Sequence, residues 1–401
     1  MQPKSPEQEV DRPYLTDLIR KALDRPELQI ADWKVNPLHG GFEWDSAVFR
    51  FHGEALDGRE TVAWSLILKH VKPTEKASDP GGIWYWKREA LAYKSGMLHQ
   101  LPGGNVTAPA CYEVQERPDG TVWMWLEDIK DDISSPWSLE QYGVIARHLG
   151  QFNGAYLVGK AFPSEPWITR NWLRMYVENA QKAIAFIHGN LKHPLIQRMY
   201  PGIVLAQILS LWDERDRILA VLDRLPQVFC HQDAFRRNLF VRGGQTIAID
   251  WGYMGIAPVG AELVALVAAS LGFWEIPADR VKELDRLCFE GYLQGLRDAG
   301  WKGDPKLVRT GYAVSLLLRY PIGGNTGELI PVFLDREKRS KLEGAFENKS
   351  ADELEKADPA VIAYYQGVLP ESMKLLGMTG MLRLVGRIGL YSLRINTGKK
   401  K

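Results

Sequence analysis

The stretch "CHQDAFRRNLFV" spans residues 230–241, and "TIAIDWG" follows at 246–252. Between apolar runs the first sets His231, Asp233, Arg236, Arg237 and Asn238, and the second ends on Asp250. A packed core needs none of these groups, because a buried polar or charged side chain is unfavourable unless it is paired. "VFCH", "LFV" and "TIAID" have the composition of short strands. If they form a hairpin, Asp233, Asn238 and Asp250 emerge at one end of it. Two carboxylates and an amide carbonyl are hard oxygen donors. They suit Mg²⁺, which keeps much of its water and takes few protein ligands beside phosphate oxygens. Singly, Asp233 and Asn238 pass for turn residues and Asp250 for a helix cap. The joint spacing is the specific signal.

Phosphoryl transfer uses such a set: a loop Asp to orient the hydroxyl, an Asn five positions on, and a later Asp on the metal. Asp233, Asn238 and Asp250 stand in that order, with Asp233 as the catalytic candidate and Asn238 and Asp250 as the metal ligands. A cation for the phosphates is expected upstream. In "TVAWSLILKH" (61–70), Val62, Trp64, Leu66 and Leu68 alternate with Ala63, Ser65, Ile67 and Lys69, which makes Lys69 the lone charge inside an apolar strand. Glu89, in the following helical pattern, is its expected partner. In "LHGGFEWDSAVFRF" (38–51), Gly40, Gly41 and Ser46 are candidates for contact with phosphate through a tight turn. Glu43 and Asp45 there would repel it. "WMWLEDI" (123–129) has the pattern of a connector with an aromatic wall at Trp125, and Glu127 and Ile129 are its candidates for the nucleotide edge. His231 is expected to brace the loop.

The rest of the chain sets limits. With 401 residues, two or three packed units are expected. Lys and Arg number 50 against 49 Asp and Glu, which disfavours a nucleic acid partner. Cys111, Cys230 and Cys288 are too few and too far apart for a disulfide framework or zinc site. No apolar run approaches the ~18–20 residues of a bilayer span, so stable membrane insertion is not expected. "MQPKSPEQEVDRPY" lacks the apolar run of a signal peptide, and a cytoplasmic location is expected. The division predicted is an N-terminal helical arm (1–29), a nucleotide-binding lobe (30–127) and a helical catalytic and substrate-binding lobe (128–401). Helical patterns cover 9–25, 84–101, 139–157, 167–187, 203–224, 260–273, 279–299, 306–320, 351–367 and 370–395. Residues 321–350 suggest an irregular lid or insertion.

These motifs resemble the aminoglycoside phosphotransferase and choline kinase-like family, small-molecule relatives of protein kinases. Its loop commonly runs H-G-D-x-H-x-x-N, followed by a strand ending I-D-[FW]. "HQDAFRRN" and "AIDW" occupy those places, and "GIAPVGAELVALV" resembles the stretch that follows. The resemblance implies an α+β, two-lobed protein-kinase-like fold with a small β-rich lobe and a large helical one. It implies ATP (GTP is not excluded) and Mg²⁺ as cofactors, and a small-molecule hydroxyl, of an antibiotic, amino alcohol, sugar or other metabolite, as acceptor. Asp233 would be the catalytic Asp, and Lys69 and Glu89 the lobe-bridging pair. Glu262 stands where the family commonly has an Asp tying a helix to the loop. Gln232 replaces a Gly, and Arg236 and Arg237 add charge where the family loop is mostly neutral. The basic end, "LRINTGKKK", lowers the odds on a polycationic aminoglycoside. The alternatives are a nucleotide-binding pseudokinase with a regulatory role and a kinase of protein hydroxyls. The second is disfavoured because no Asp-Phe-Gly or Ala-Pro-Glu follows Asp250.

Overall fold

The alternation at residues 60–71 marks the middle of the largest sheet. β1 (Gln29–Leu38), β2 (Ser46–Asp57) and β3 (Glu60–Val71) run as an antiparallel meander. The two-residue strand β4 (Val106–Thr107) precedes β5 (Cys111–Glu116) and β6 (Val122–Glu127), and the sheet order is β1-β2-β3-β6-β5. The computed structural model describes residues 9–38, 46–74, 77–133, 136–345, 350, 353 and 359–377. α1 (Arg12–Leu23) starts where the Asp11 carboxylate accepts from the Tyr14 amide at 2.8 Å. Its Leu15, Leu18 and Ile19 complete a core with Phe51, Leu66, Leu68 and Trp125. The expected helix over 84–101 is shorter, α2 (Arg88–Lys94) followed by a 3₁₀ turn at Met97–His99.

The stretch that opened the question folds as four short strands, β7 (Gln227–Cys230), β8 (Leu239–Arg242), β9 (Gln245–Ala248) and β10 (Gly255–Pro258). They do not form one hairpin. β8 and β9 pair with each other, and β4 adds to β9 in parallel, whereas β7 pairs with β10. The chain accordingly divides into two compact units. The first is Met1–Ser134 with Asn238–Gly252, and the second is Ser135–Arg237 with Tyr253–Lys401. The lobes drawn from sequence at 30–127 and 128–401 follow the chain linearly, and such a division makes no place for a returning segment.

The second unit is helical. α3 (Leu139–Leu157) agrees with its expected span. The pattern at 167–187 is broken into α4 (Trp172–Glu178) and α5 (Gln181–Gly189). After α6 (Pro194–Met199), the pattern at 203–224 breaks at Glu214 into α7 (Val204–Asp213) and α8 (Arg215–Leu222). α9 (Leu263–Gly272) is apolar on every side and buried along its length up to Leu271, as a fully enclosed helix should be. α10 (Val281–Asp298) and α11 (Pro305–Leu317) follow.

Within 321–350, the described residues up to 345 correct the expectation of an irregular stretch. A π-helix occupies Leu318–Leu329, and α12 (Ile330–Leu334) and α13 (Arg336–Ala345) continue from it. "PIGGNTG" looks like a loop because Pro and Gly disfavour an α-helix, whereas the wider π winding contains Pro321 within it. The last described helix is α14 (Pro359–Leu375). Gly40, Gly41, Glu43, Asp45, the Ser46 side chain and the basic C-terminal end lie outside the described residues. Among the described residues, no helix is long and apolar enough to cross a membrane.

α3 and α10 meet with almost no side chain between them. A Cβ on Gly150 would lie 2.2 Å from the Tyr292 carbonyl oxygen, and one on Gly295 would lie 2.0 Å from that of Arg147. Both neighbours are backbone, so neither can rotate away. Gly295→Ala is expected to destabilise the protein by about 1–3 kcal/mol, lowering Tm by about 2–4 °C per kcal/mol. Gly189→Ala, on α5, adds a Cβ that would meet nothing within 4 Å, and its effect should stay within about 0.5 kcal/mol. Thermal melting of the two variants checks the contrast.

Candidate functional site

In the first unit, Lys69 lies on β3, the central strand, so it has no edge from which to reach water. Its ammonium contacts Glu89 Oε2 at 2.6 Å and Asp250 Oδ1 at 2.8 Å. The Lys69 side chain is 14% exposed, Glu89 5% and Asp250 45%. Burial is the strongest single influence on the ammonium and opposes its charge. Asp250 and Glu89 together outweigh it and hold the Lys69 pKa above its ordinary value. One cation therefore serves two carboxylates.

The first turn of α2 fixes where Asp250 stands. Glu89 Oε1 accepts from the Trp251 amide at 3.2 Å, and the buried Arg88 donates to the Gly252 carbonyl at 2.6 Å. Asp250 itself has φ +63°, a left-handed conformation that Asp tolerates better than most residues. Asn238 immediately precedes β8, and its carbonyl accepts from the Ile249 amide at 2.9 Å. Asn238 and Asp250 thus flank the open end of the β8–β9 hairpin. Among the described residues, no group of three or more His, Cys, Asp and Glu is arranged to hold a metal ion. A pair of oxygen donors from Asn and Asp is a different kind of site, one that relies on phosphate and water for the remaining ligands.

Strand register also sorts the connector. Lys69 is opposite Met124 and Ile67 opposite Leu126, so these four share one face. Trp125 is opposite Leu68 on the other face, where it is fully buried against Tyr14 and Phe51. The expected aromatic wall at Trp125 is therefore corrected: this ring is core, and Met124 occupies the Lys69 side. The Glu127 amide donates to the Ala110 carbonyl at 2.9 Å, and its carboxylate pairs with Arg242. Ile129 follows β6 and is half-buried.

In the second unit, the loop before Asp233 is held by buried polar groups. The His231 and Gln232 amides donate to Glu262 Oε2 and Oε1 at 2.8 and 3.0 Å. Asn153, itself bonded to Tyr292 and the Phe229 carbonyl, reaches Glu262 Oε2 at 3.4 Å. Burial raises the Glu262 carboxyl above its ordinary range in spite of these donors. His231 braces the loop as expected, with Nδ1 accepting from the Asp233 amide at 3.2 Å. Gln232, where the family motif has Gly, sits at φ +71°. A side chain there costs about 1–2 kcal/mol in backbone conformation, so the Glu262 bonds hold the loop against strain.

Arg319 was not singled out from sequence. It is the second residue of the π-helix, is 8% exposed, and donates to the Gln232 carbonyl and to Asp233 Oδ1, the latter at 3.3 Å. Its guanidinium lies 4.5 Å from the centre of the Trp172 ring. The available signal was a lone cation after the apolar run "AVSLLL" (313–318). Arg88, next to Lys87 in the helical pattern that carries Glu89, was also missed. Arg237 pairs with Glu275 at 3.1 Å and covers Phe273, and Arg236 covers Trp137.

An α+β fold with a lysine shared by two carboxylates and a braced H-x-D loop defines a phosphotransferase. The model of the phosphotransferase enzyme family (APH) matches residues 96–301, more than half of the chain, and the chain belongs to that family. It is a phosphotransferase with the α+β organisation that its motifs imply. Among solved structures, it is similar to a choline kinase from Cryptosporidium parvum (15% identity, 89% of this chain and 99% of that one, TM-score 0.49). It is also similar to an amicoumacin kinase in complex with AMP-PNP and Ca²⁺ (15% identity, 87% and 96%, TM-score 0.48). A third is a choline/ethanolamine kinase family protein from Mesorhizobium loti (19% identity, 87% and 92%, TM-score 0.46). A search of curated proteins finds no match.

Glu262→Ala leaves the His231 and Gln232 amides buried without their acceptor. At about 1–3 kcal/mol for each, a loss of about 3 kcal/mol in chemical denaturation is expected. A loss below about 1 kcal/mol would show that other groups satisfy the loop.

Proposed function

We propose that this kinase transfers the γ-phosphoryl group of ATP to a hydroxyl of a small molecule. The observation that carries the reading is the Lys69–Glu89–Asp250 group, a cation on a central strand bonded both to the α2 carboxylate and to the Asp that ends the "TIAID" run. GTP fits the same phosphate-binding chemistry. Asp233 orients the acceptor hydroxyl and takes its proton. The hydroxyl oxygen forms the new bond to phosphorus as the bond from the γ-phosphorus to its bridging oxygen breaks, and the nucleoside diphosphate leaves. Glu127 and Ile129 are the proposed nucleotide-edge residues, and Gly40, Gly41 and Ser46 the proposed phosphate loop.

Asn238 and Asp250 would hold Mg²⁺. Their oxygen donors fit it, and so does the charge around Lys69, where one ammonium faces two carboxylates and leaves negative charge for a cation to neutralise. When bound, the metal neutralises phosphate charge. The chain's own contribution is position: Lys69 is held by Glu89, and Asp233 by Arg319 and by the loop that Glu262 anchors. The loop from Asp233 to Asn238 joins the acceptor residue to the metal residues through only four intervening positions. Lys69, Asp233, Asn238 and Asp250 are all present, so the pseudokinase alternative rests only on the loop departures at Gln232, Phe235, Arg236 and Arg237.

Asp233→Asn should leave ATP affinity near that of the parent and lower kcat by about 10²–10⁴, the range of general acid–base residues. Calorimetric ATP titration and steady-state turnover separate the two quantities. A variant that phosphorylates its acceptor at near-parent rate would remove Asp233 from the role.

Asp250→Ala should abolish the increase in ATP affinity that Mg²⁺ confers. The check is titration of nucleotide with Mg²⁺ and with EDTA. Unchanged Mg²⁺ dependence would exclude Asp250 as the ligand.

A further inference from the structure

The second unit contains an aromatic box whose occupant is part of the chain. Tyr176 stacks on Trp172 at 4.7 Å between ring centres, and Tyr253 meets Trp172 edge-on at 5.8 Å. The Arg319 guanidinium lies over Trp172, with Tyr320 at 5.7 Å, and also contacts Asp233. Ring faces and a carboxylate together form the kind of site that holds an ammonium group of a ligand. Here a buried guanidinium already takes that place. A cationic acceptor approaching Asp233 would meet like charge instead of a vacant anionic box.

A second observation concerns the same helix. A cavity of about 410 Å³ opens within the second unit, in the size range of small-molecule pockets. The π-helix that carries Arg319 forms one wall through Pro321, Asn325 and Leu329, and α7 faces it with Ile208 and Leu211. Among its described lining residues Glu353 alone is charged. One layer of side chains separates the cavity from the catalytic loop: Gly272 and Trp274 line it, and Phe273 between them stacks on Phe235 at 5.3 Å, two positions after Asp233. An apolar wall with so little charge disfavours a polycation and favours a hydrocarbon surface.

We propose that the acceptor is an uncharged alcohol whose apolar body fills this cavity, with its hydroxyl directed to Asp233. This rests on the phosphotransferase reading above and adds the class of substrate. A polyamine sugar, or an amino alcohol held by a cation box, does not fit these surroundings.

The full-length protein with ATP and Mg²⁺ is given two panels of alcohols, neutral polycyclic or long-chain alcohols and polyamine aminocyclitols. ADP release and product mass are followed. Displacement of the neutral dye 6-propionyl-2-dimethylaminonaphthalene reports binding without turnover. Neutral apolar alcohols are expected to displace the dye and to gain phosphate. Leu329→Trp, at a half-buried position, should raise their KM by about tenfold or more while the KM for ATP and the melting temperature stay unchanged. Asn325→Asp adds a carboxylate to the same wall and should shift preference toward amine-bearing alcohols. Preferential phosphorylation of the polyamines by the parent, or a Leu329→Trp acceptor KM equal to the parent's, overturns the inference and leaves the phosphotransferase reading standing. Absence of ADP release and of product with every alcohol, in protein that still binds the dye, overturns both.

Discussion

Much of the first unit depends on one ammonium group. Lys69 would be strongly disfavoured on a central strand if it stood alone. Its contacts with Glu89 and Asp250 convert that liability into a constraint that ties β3 to α2 and to the end of the β8–β9 hairpin. Arg88 and the Trp251 amide reinforce the junction through backbone, so the position of Asp250 does not rely on the ion pair alone. A group this over-determined is suited to chemistry that works by holding charges in place before the reaction starts.

The second unit applies the same logic with opposite signs. Glu262, a buried carboxylate, gathers the amides of His231 and Gln232, and Arg319, a buried cation, takes the Gln232 carbonyl and Asp233. Between them lies a residue with left-handed backbone where the family motif has glycine. The strain and the two anchors belong together. A Gln there persists because donors and acceptors on either side define one loop geometry.

The polar residues were the most legible part of the sequence. The H-x-D-x4-N spacing and the lone lysine in an alternating strand each placed a charge where packing alone would not, and the Lys69–Glu89 contact follows from the need to pair it. Strand pairing was less legible, because β8 and β9, which pair with each other, lie between β7 and β10 in the chain, and local pattern does not say which of four neighbouring strands pair. The face of Trp125 depended on register, which only the paired strand supplies. The π-helix was hidden by its own composition, since Pro and Gly signal a loop on any scale built from α-helices. Arg319 was hidden with it, because a cation at the edge of an apparent loop passes for a solvated one.

The discontinuity of the first unit bears on how the chain is made. Residues emerge from the ribosome in order, and domains commonly fold as they emerge. The first 134 residues hold the five-stranded sheet, yet β8, β9 and Asp250 arrive only after about a hundred residues of helical chain have been synthesised. Until then Lys69 and Glu89 have each other but not the third member, and β4 has no strand to pair with. The nascent chain must carry an unfinished first unit while the helices that interrupt it take shape, a window in which a chaperone would find exposed strand edge to bind.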